Sequence, residues 1–247
     1  MRRLIATTVL ATLACGGGGG DAGTSDGGGA AAVAPLGSAS IAGVINFEGA
    51  PPANPTIDMA EEPDCVAKYT DGPIDPIVVV NDGKLANVYV RIVSGLPEGP
   101  YPMLSEPAVI DQDGCLYHPR VLGAMVGQSI EIRNSDPMLH NIKAIPTENR
   151  GFNISQPREG MTTTRRFRVP EIMIPLECNV HGWMNAYVGV TDHPYFATSG
   201  EDGTFAIGGL PAGTYQLEAW HETLGTRTAE VTISDGASET VDFSFSG

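Results

Sequence analysis

From Ser40 onward, apolar and polar residues alternate in short runs that are interrupted by turn-forming residues. The runs are rich in Val, Ile, Phe and Tyr, and none holds a helical period for more than a turn or two. Typical interruptions are Asn81-Asp82-Gly83, Asp113-Gly114 and Glu201-Asp202-Gly203. The pattern therefore predicts an all-β chain of sandwich or barrel type.

One predicted strand ends at a cysteine. Ile172, Ile174, Leu176 and Cys178 share parity along this strand, so they should point to the same face of a sheet. That face is apolar, and it should therefore face the core. A thiol at the core-facing end of a strand suits a shielded metal site better than a surface disulfide.

The loop that follows this strand carries further metal-binding side chains. Cys178, His181 and Met184 form a C-x-x-H-x-x-M pattern before another predicted strand at 186–190. Thiolate, imidazole and thioether suit copper that changes valence, and two imidazoles with one thiolate complete a trigonal plane with a weak axial methionine. His140, at the end of a predicted strand at 129–133, supplies the second imidazole.

These two segments resemble the cupredoxins, the family of plastocyanin, pseudoazurin and amicyanin. Residues 126–142 are similar to the family's first ligand strand, and residues 177–190 are similar to its ligand loop. The resemblance spans about residues 106–192 and implies a Greek-key β-sandwich holding one type 1 copper ion. It also implies electron transfer without substrate chemistry, so we expect no enzyme activity.

The resemblance assigns roles to neighbouring residues. Asn141 matches the asparagine that braces the ligand loop and shields the sulfur with a backbone N–H, which tunes the metal indirectly. His181 is expected near the surface, within an apolar docking patch formed by Leu139, Gly182 and Trp183. The alternative for Trp183 is a simple packing role between domains.

Other functions remain possible for such residues. Zinc is disfavoured because thioether is a poor zinc ligand. Coupled copper catalysis needs a histidine beside the cysteine, and Glu177 stands there. The alternatives kept open are a periplasmic copper carrier or sensor and a β-sandwich interaction protein without redox activity.

A second module is indicated by residues 201–217, which resemble the transthyretin-like, carboxypeptidase-regulatory-like β-sandwich. The opening pattern of that family is similar to residues 41–52, followed by residues 85–90, far upstream. We therefore predict a discontinuous sandwich built from residues 39–105 with 193–247, and a cupredoxin domain at 106–192 lying between its two parts.

The N-terminus resembles a bacterial lipoprotein signal. Basic residues precede an apolar run that ends at residue 14, and Cys15 would carry the lipid, with simple secretion as the alternative. Residues 15–38 are mostly Gly, Ala, Ser, Thr and Asp, so we expect a disordered tether. The expected location is the periplasm or cell envelope, with the protein anchored in a membrane.

The two remaining cysteines predict a disulfide, and the net charge predicts the kind of partner. If Cys15 carries lipid and Cys178 carries metal, Cys65 and Cys115 are left to form a disulfide in an oxidising compartment, or to remain two buried thiols. The formal net charge of −15 disfavours nucleic acid and favours a cationic partner. A redox protein is expected as partner, either a c-type cytochrome or a dehydrogenase.

Overall fold

The protein is described here by a computed structural model of residues 36–247. The predicted signal at 1–14, the lipid at Cys15 and most of the predicted tether lie outside these residues. Residues 36–38 were also predicted to be disordered, and this is wrong for the part described. The backbone N–H of Gly37 donates to the carbonyl of Gly209 at 2.9 Å, and Ser38 donates to Asp235 at 3.0 Å.

The described chain is almost entirely β-structure, as the alternating pattern predicted, with one short helix, α1 (Pro63–Val66). The strands in chain order are β1 (Ala39–Glu48), β2 (Val80–Asn81), β3 (Lys84–Leu85), β4 (Tyr89–Ser94), β5 (Ala108–Asp113), β6 (Leu116–His118), β7 (Val121–Met125), β8 (Ile130–Asn134), β9 (His140–Ala144), β10 (Phe152–Gln156), β11 (Met161–Arg165), β12 (Glu171–Glu177), β13 (Asn185–Thr191), β14 (Phe196–Thr198), β15 (Thr204–Leu210), β16 (Gly213–His221), β17 (Gly225–Ile233), β18 (Ser238–Thr240) and β19 (Phe243–Ser246). Among these residues, no helix has the length and apolar character needed to cross a membrane.

Strands from both ends of the described chain form one sandwich, which we call the split sandwich. One sheet has the order β15-β1-β3-β2, and β18 and β19 also pair with β1. The other sheet has the order β14-β4-β16-β17. Apolar side chains from both sheets, including those of Ile41, Val90 and Leu217, share one buried core. This sandwich therefore depends on pairing between strands far apart in sequence.

The intervening strands, β5 to β13, form a second sandwich, which we call the central sandwich. Its sheets have the orders β10-β9-β12-β13-β7 and β11-β8-β5-β6. Ile110 and Ile132 from one sheet pack with Ile142 and Val188 from the other in a separate core. The predicted ligand residues all lie in or beside this sandwich.

The two sandwiches meet through close contacts on β7 and β13. Gly123 pairs with Gly189 across these parallel strands. A Cβ atom at Gly123 would lie 2.4 Å from the Phe196 ring, and one at Gly189 would lie 2.7 Å from the Tyr89 ring. Only glycine leaves room there, so the aromatic rings of the split sandwich pack directly onto the central one.

Candidate metal centre

The core-facing strand predicted from parity is β12, and it positions the cysteine. Ile174, Leu176 and Cys178 are buried, whereas Ile172 is only half-buried. The register of β12 against β13 shifts between Glu171 and Ile174, and Met173 has φ of 59°. A bulge re-aims the residues on either side of it, which explains why the inward face begins only at Ile174.

The loop after β12 is closed by its own backbone. The N–H of Cys178 donates to the carbonyl of Met184 at 3.2 Å, and the N–H of Met184 donates to the carbonyl of His181 at 3.0 Å. The N–H of His181 donates to the Cys178 sulfur at 3.3 Å. Met184 is fully buried in the same core as Cys178. The short spacing of the motif is therefore accommodated by a tight, hydrogen-bonded turn.

Three of the four predicted ligands converge. His140 Nδ1 lies 2.8 Å from His181 Nδ1, and Cys178 Sγ lies 3.9 Å from the same His181 atom. All three donor atoms lie within 4.8 Å of one another, and all three residues are buried. Metal–nitrogen bonds of roughly 2.0–2.1 Å place donors about 3–4 Å apart around one ion. The distance from sulfur to nitrogen lies in this range and the two imidazole nitrogens are slightly closer together, so small shifts of the rings would let all three atoms bind one ion.

The pKa of the Cys178 thiol is lowered by its surroundings, which favours metal binding. Burial alone would raise its pKa, but hydrogen bonds from His140, His181 and the backbone N–H groups of Asn141 and His181 outweigh burial and lower the pKa to about 5. A thiolate is the form that binds metal. At neutral pH the site therefore holds an anionic sulfur between two imidazoles.

Asn141 joins the first ligand strand to the loop. Its side-chain oxygen accepts the N–H of Asn179 at 2.6 Å and lies 3.4 Å from the Cys178 sulfur. Its amide nitrogen donates to Asn153 at 2.7 Å, and its carbonyl accepts the Tyr117 hydroxyl at 2.6 Å. Both polar groups of this side chain are used, so Asn141 holds β9 and the ligand loop at a set distance.

Asp136 was not singled out from the sequence, although it lies four residues before His140. Its buried carboxylate accepts from His140 Nε2 at 2.8 Å and from the backbone N–H of Cys115 at 2.8 Å, and it pairs with Lys68. Burial alone would raise its pKa, but these partners lower the pKa far below the usual range. The aspartate thus accepts a hydrogen bond from Nε2 and fixes the ring of His140 so that Nδ1 faces the site, where it could bind a metal ion in place of a proton.

The predicted disulfide between Cys65 and Cys115 is present. It joins α1 to the turn between β5 and β6 at the ligand end of the central sandwich. Ile57 and Met59 pack in the same buried cluster, against Trp183. We call residues 57–69 the covering segment. The sequence analysis assigned these residues to the discontinuous sandwich at 39–105 with 193–247. Their position over the ligand loop was not predicted.

His181 was expected near the surface, and in the structure its ring is buried beneath neighbouring side chains. The residue is 1% exposed, and its Nε2 atom lacks a hydrogen-bond partner within the described residues. The Oε1 atom of Glu62, in the covering segment, lies 3.9 Å from Nε2, and that side chain is 41% exposed. Of the predicted docking patch, Leu139 is 41% exposed and Gly182 is exposed, but Trp183 is half-buried and donates to the Cys115 carbonyl at 3.0 Å.

A comparison with protein-family models gives one match, in the C-terminal part of the chain. The family model of the carboxypeptidase regulatory-like domain matches residues 183–246. No curated protein matches the chain in sequence. The match begins ten residues before the predicted module boundary at 193 and does not include β1, which pairs with strands inside it.

Several solved structures resemble the chain over about two fifths of its length. A Cu-containing nitrite reductase from Thermus scotoductus SA-01 is 19% identical with a TM-score of 0.31, over 39% of this chain and 25% of its own. A purple cupredoxin from Nitrosopumilus maritimus is 23% identical with a TM-score of 0.30, over 34% of this chain and 99% of its own. An oxidized mutant of amicyanin is 20% identical with a TM-score of 0.32, over 41% of this chain and 97% of its own. The described residues are thus almost all β-structure, residues 183–246 match the carboxypeptidase regulatory-like model, and cupredoxins are among the solved structures that resemble the chain.

Proposed function

We propose that the protein is a type 1 copper electron-transfer protein held at a membrane of the cell envelope. The observation that carries the proposal is the convergence of His140 Nδ1, His181 Nδ1 and Cys178 Sγ within one buried coordination sphere. Met184, buried in the same core, would be the axial ligand. Copper bound there would supply a one-electron couple between its two valences.

The surrounding residues suit electron transfer because they hold the ligands still. Burial of all four ligand residues excludes water from the site. Asp136 fixes the ring of His140, and Asn141 fixes the ligand loop relative to β9. A site that keeps its geometry when charge changes needs little reorganisation, which favours rapid electron exchange.

The absence of substrate chemistry is part of the proposal. Among residues 36–247, one other group of potential ligands comes together, formed by Cys115, Asp136 and His140. It shares His140 with the first group, and its cysteine is bonded to Cys65. The proposal is therefore one copper ion per chain, with Glu177 and not a histidine beside the cysteine.

The proposed location rests on the sequence and the disulfide. A disulfide persists in an oxidising compartment, which suits an exported protein. Cys15 would carry the lipid anchor, and a c-type cytochrome or a dehydrogenase in the same compartment would exchange electrons with the site.

The test is an optical and electron paramagnetic resonance spectrum of the purified protein with one equivalent of Cu(II). We expect an intense thiolate-to-copper band and narrow copper hyperfine splitting. Both should disappear in Cys178→Ala, while the far-ultraviolet circular dichroism of that variant should remain that of a folded β-protein. Ordinary tetragonal copper that is indifferent to Cys178→Ala would overturn the proposal.

Voltammetry distinguishes electron transfer from copper delivery. An electron carrier should cycle reversibly and keep its copper in the presence of a Cu(I) chelator. Loss of copper to the chelator within seconds of reduction would favour the carrier or sensor function instead.

A further inference from the structure

Sulfur-bearing side chains meet under the covering segment, beside the metal centre. Cys65, Cys115 and Met59 are buried in one cluster, and the half-buried Met138 lies next to it. The Met138 Sδ atom lies 3.8 Å from Cys115 Sγ. None of these residues is among the four proposed ligands of the metal centre. We call Cys65, Cys115 and Met138 the sulfur cluster.

Hydrogen bonds hold two members of the sulfur cluster together independently of the disulfide. The backbone N–H groups of Gly114 and Cys115 donate to the Asp136 carboxylate at 3.0 and 2.8 Å. The Asn134 side chain accepts the N–H of Asp136 at 3.0 Å and donates to the Met138 carbonyl at 3.0 Å. The turn that carries Cys115 is therefore joined to the loop that carries Met138.

The covering segment holds Cys65 in place by further contacts. The Tyr69 hydroxyl donates to the Gly114 carbonyl at 2.5 Å, and Lys68 Nζ lies 3.1 Å from Asp113 Oδ1. Both partners belong to the turn between β5 and β6, which also carries Cys115. The three sulfurs should therefore stay close together in a chain whose two cysteines are thiols.

A surface cavity of about 510 Å³ lies beside the sulfur cluster. Its lining includes Gly114 and Leu116, which flank Cys115 in the sequence, together with Lys68 and Tyr69 of the covering segment. A metal ion or a small thiol can therefore approach the turn that carries Cys115 without passing through the metal centre.

The thiol form of the sulfur cluster has the chemistry of a Cu(I) site. Cysteines enter a chain as thiols, so this form precedes the disulfide. It offers two thiolates and one thioether, and such soft ligands select Cu(I). Metal–sulfur bonds of roughly 2.3 Å place sulfurs about 4 Å apart around a trigonal ion. The 3.8 Å between Cys115 Sγ and Met138 Sδ matches that separation.

We propose that the thiol form of the protein binds one Cu(I) ion through Cys65, Cys115 and Met138. Each thiol loses its proton to solvent as its sulfur binds the ion, and copper keeps its valence, so binding needs no oxidant or reductant. Formation of the disulfide joins the two cysteine sulfurs and closes the site. The site shares no ligand with the metal centre, so it stands independently of the proposed copper function.

The position of the sulfur cluster gives the site a use. Cys115 Sγ lies within 4.8 Å of the donor atoms of Asp136 and His140. Cu(I) bound by the sulfur cluster would thus lie next to the first ligand strand of the metal centre. The thiol form can hold copper there until the disulfide forms.

The test counts the Cu(I) ions bound by the full chain, without oxygen, in competition with a Cu(I) chelator. The protein is reduced with dithiothreitol, which becomes a disulfide itself as it converts Cys65 and Cys115 to thiols. A thiol titration verifies that the bond is open, and the excess reagent is removed. We expect about one more equivalent of Cu(I) after reduction than before it. The same increase is expected in Cys178→Ala, which lacks the thiolate of the metal centre.

Three variants assign the additional ion to the sulfur cluster. Cys65→Ser/Cys115→Ser should not bind it. Loss of even an indirect partner weakens metal binding about 10- to 100-fold, so Met138→Leu should weaken binding of the additional ion about 10-fold or more. Met103→Leu is the matched control, because Met103 is exposed outside the sulfur cluster, and it should bind as the unmodified protein does.

An equal copper count before and after reduction would overturn the proposal. So would an additional ion that Met138→Leu binds as tightly as the unmodified protein. Circular dichroism follows the fold of the reduced chain, and loss of the β-signal that Cu(I) does not restore would also overturn it. If the Cu(II) spectrum lacks the blue band while the additional Cu(I) ion is bound, the proposed electron-transfer function fails and the sulfur site stands.

Discussion

The buried side chain of Arg120 joins the two sandwiches, and its replacement should lower the free energy of unfolding. Arg120 Nη1 lies 2.6 Å from Asp75 Oδ1, and its Nη2 lies 3.0 Å from Glu222 Oε2, with Nε also contacting Glu222. The side chains of Arg120 and Glu222 are each 6% exposed, and that of Asp75 is 15% exposed. Burial would lower the pKa of Arg120, but both carboxylates raise it, so the group stays charged.

Replacing Arg120 with methionine should destabilise the protein by about 3–5 kcal/mol, because two carboxylates are left buried without a partner. For a chain of this size each kcal/mol lowers Tm by roughly 2–4 °C, so Tm should fall by roughly 6–20 °C. Urea unfolding followed by circular dichroism gives the free energy, and a thermal scan gives Tm.

Two controls sharpen the interpretation. Arg91→Met breaks a pair with Glu218 whose side chains are 23% and 25% exposed, and it should cost at most about 1 kcal/mol. Arg120→Met/Asp75→Asn/Glu222→Gln also removes the two carboxylate charges, so it should recover much of the lost stability. If Arg120→Met costs less than about 1 kcal/mol, or the triple variant is as unstable as the single one, the reasoning is refuted.

Three further predictions concern the ligand end and the pH response. Asp136→Asn should weaken Cu(II) binding about 10- to 100-fold, measured by competition with a chelator, because it loses the charged acceptor at His140 Nε2; unchanged affinity would contradict this role. Cys65→Ala/Cys115→Ala should cost about 4 kcal/mol in urea unfolding, from a disulfide with a sequence separation of 50, and a loss below about 1 kcal/mol would count against it. His221 is buried, and burial followed by the nearby Arg120 charge lowers its pKa from 6.5 to about 4. The unfolded state therefore takes up the proton first, and about 3 kcal/mol of stability should be lost as pH falls from 6.5 to about 4; His221→Asn should flatten that slope, and an unaltered slope would refute the assignment.

The architecture could be anticipated because its signals are local. The predicted turn Asn81-Asp82-Gly83 ends β2 and leads into β3, and the parity of residues 174–178 matches the buried face of β12. The spacing of Cys178, His181 and Met184 defines a closed turn that depends on few distant contacts. His140 was placed at the end of the strand at 129–133, whereas in the structure it begins the next strand, β9, after the loop that follows β8.

The surroundings of the site could not be anticipated because they depend on tertiary contacts. Residues 57–69 have no strong strand or helix pattern, and their position is decided by the Cys65–Cys115 bond and by apolar packing on the ligand end. The His181 ring is covered from two sides, by Trp183 of its own loop and by Glu62 of the covering segment. In the sequence, Asp136 looks like a turn residue beside a proline. Its buried pairing with His140 and Lys68 brings together two separate chain segments.

The pairing of β1 has a consequence for how the protein is made. Ser40 hydrogen-bonds to Ser238, 198 residues further along the chain. At about 5–20 residues per second a ribosome needs roughly 10–40 s to add that length. β15 is made earlier and can pair with β1 first, but the edge of β1 that receives β18 and β19 stays without these partners for the whole interval. An unpaired strand edge is a site at which chains can aggregate. The strands of the central sandwich are contiguous, so this part can fold first, and a chain truncated before β18 would leave β1 permanently without its last partners.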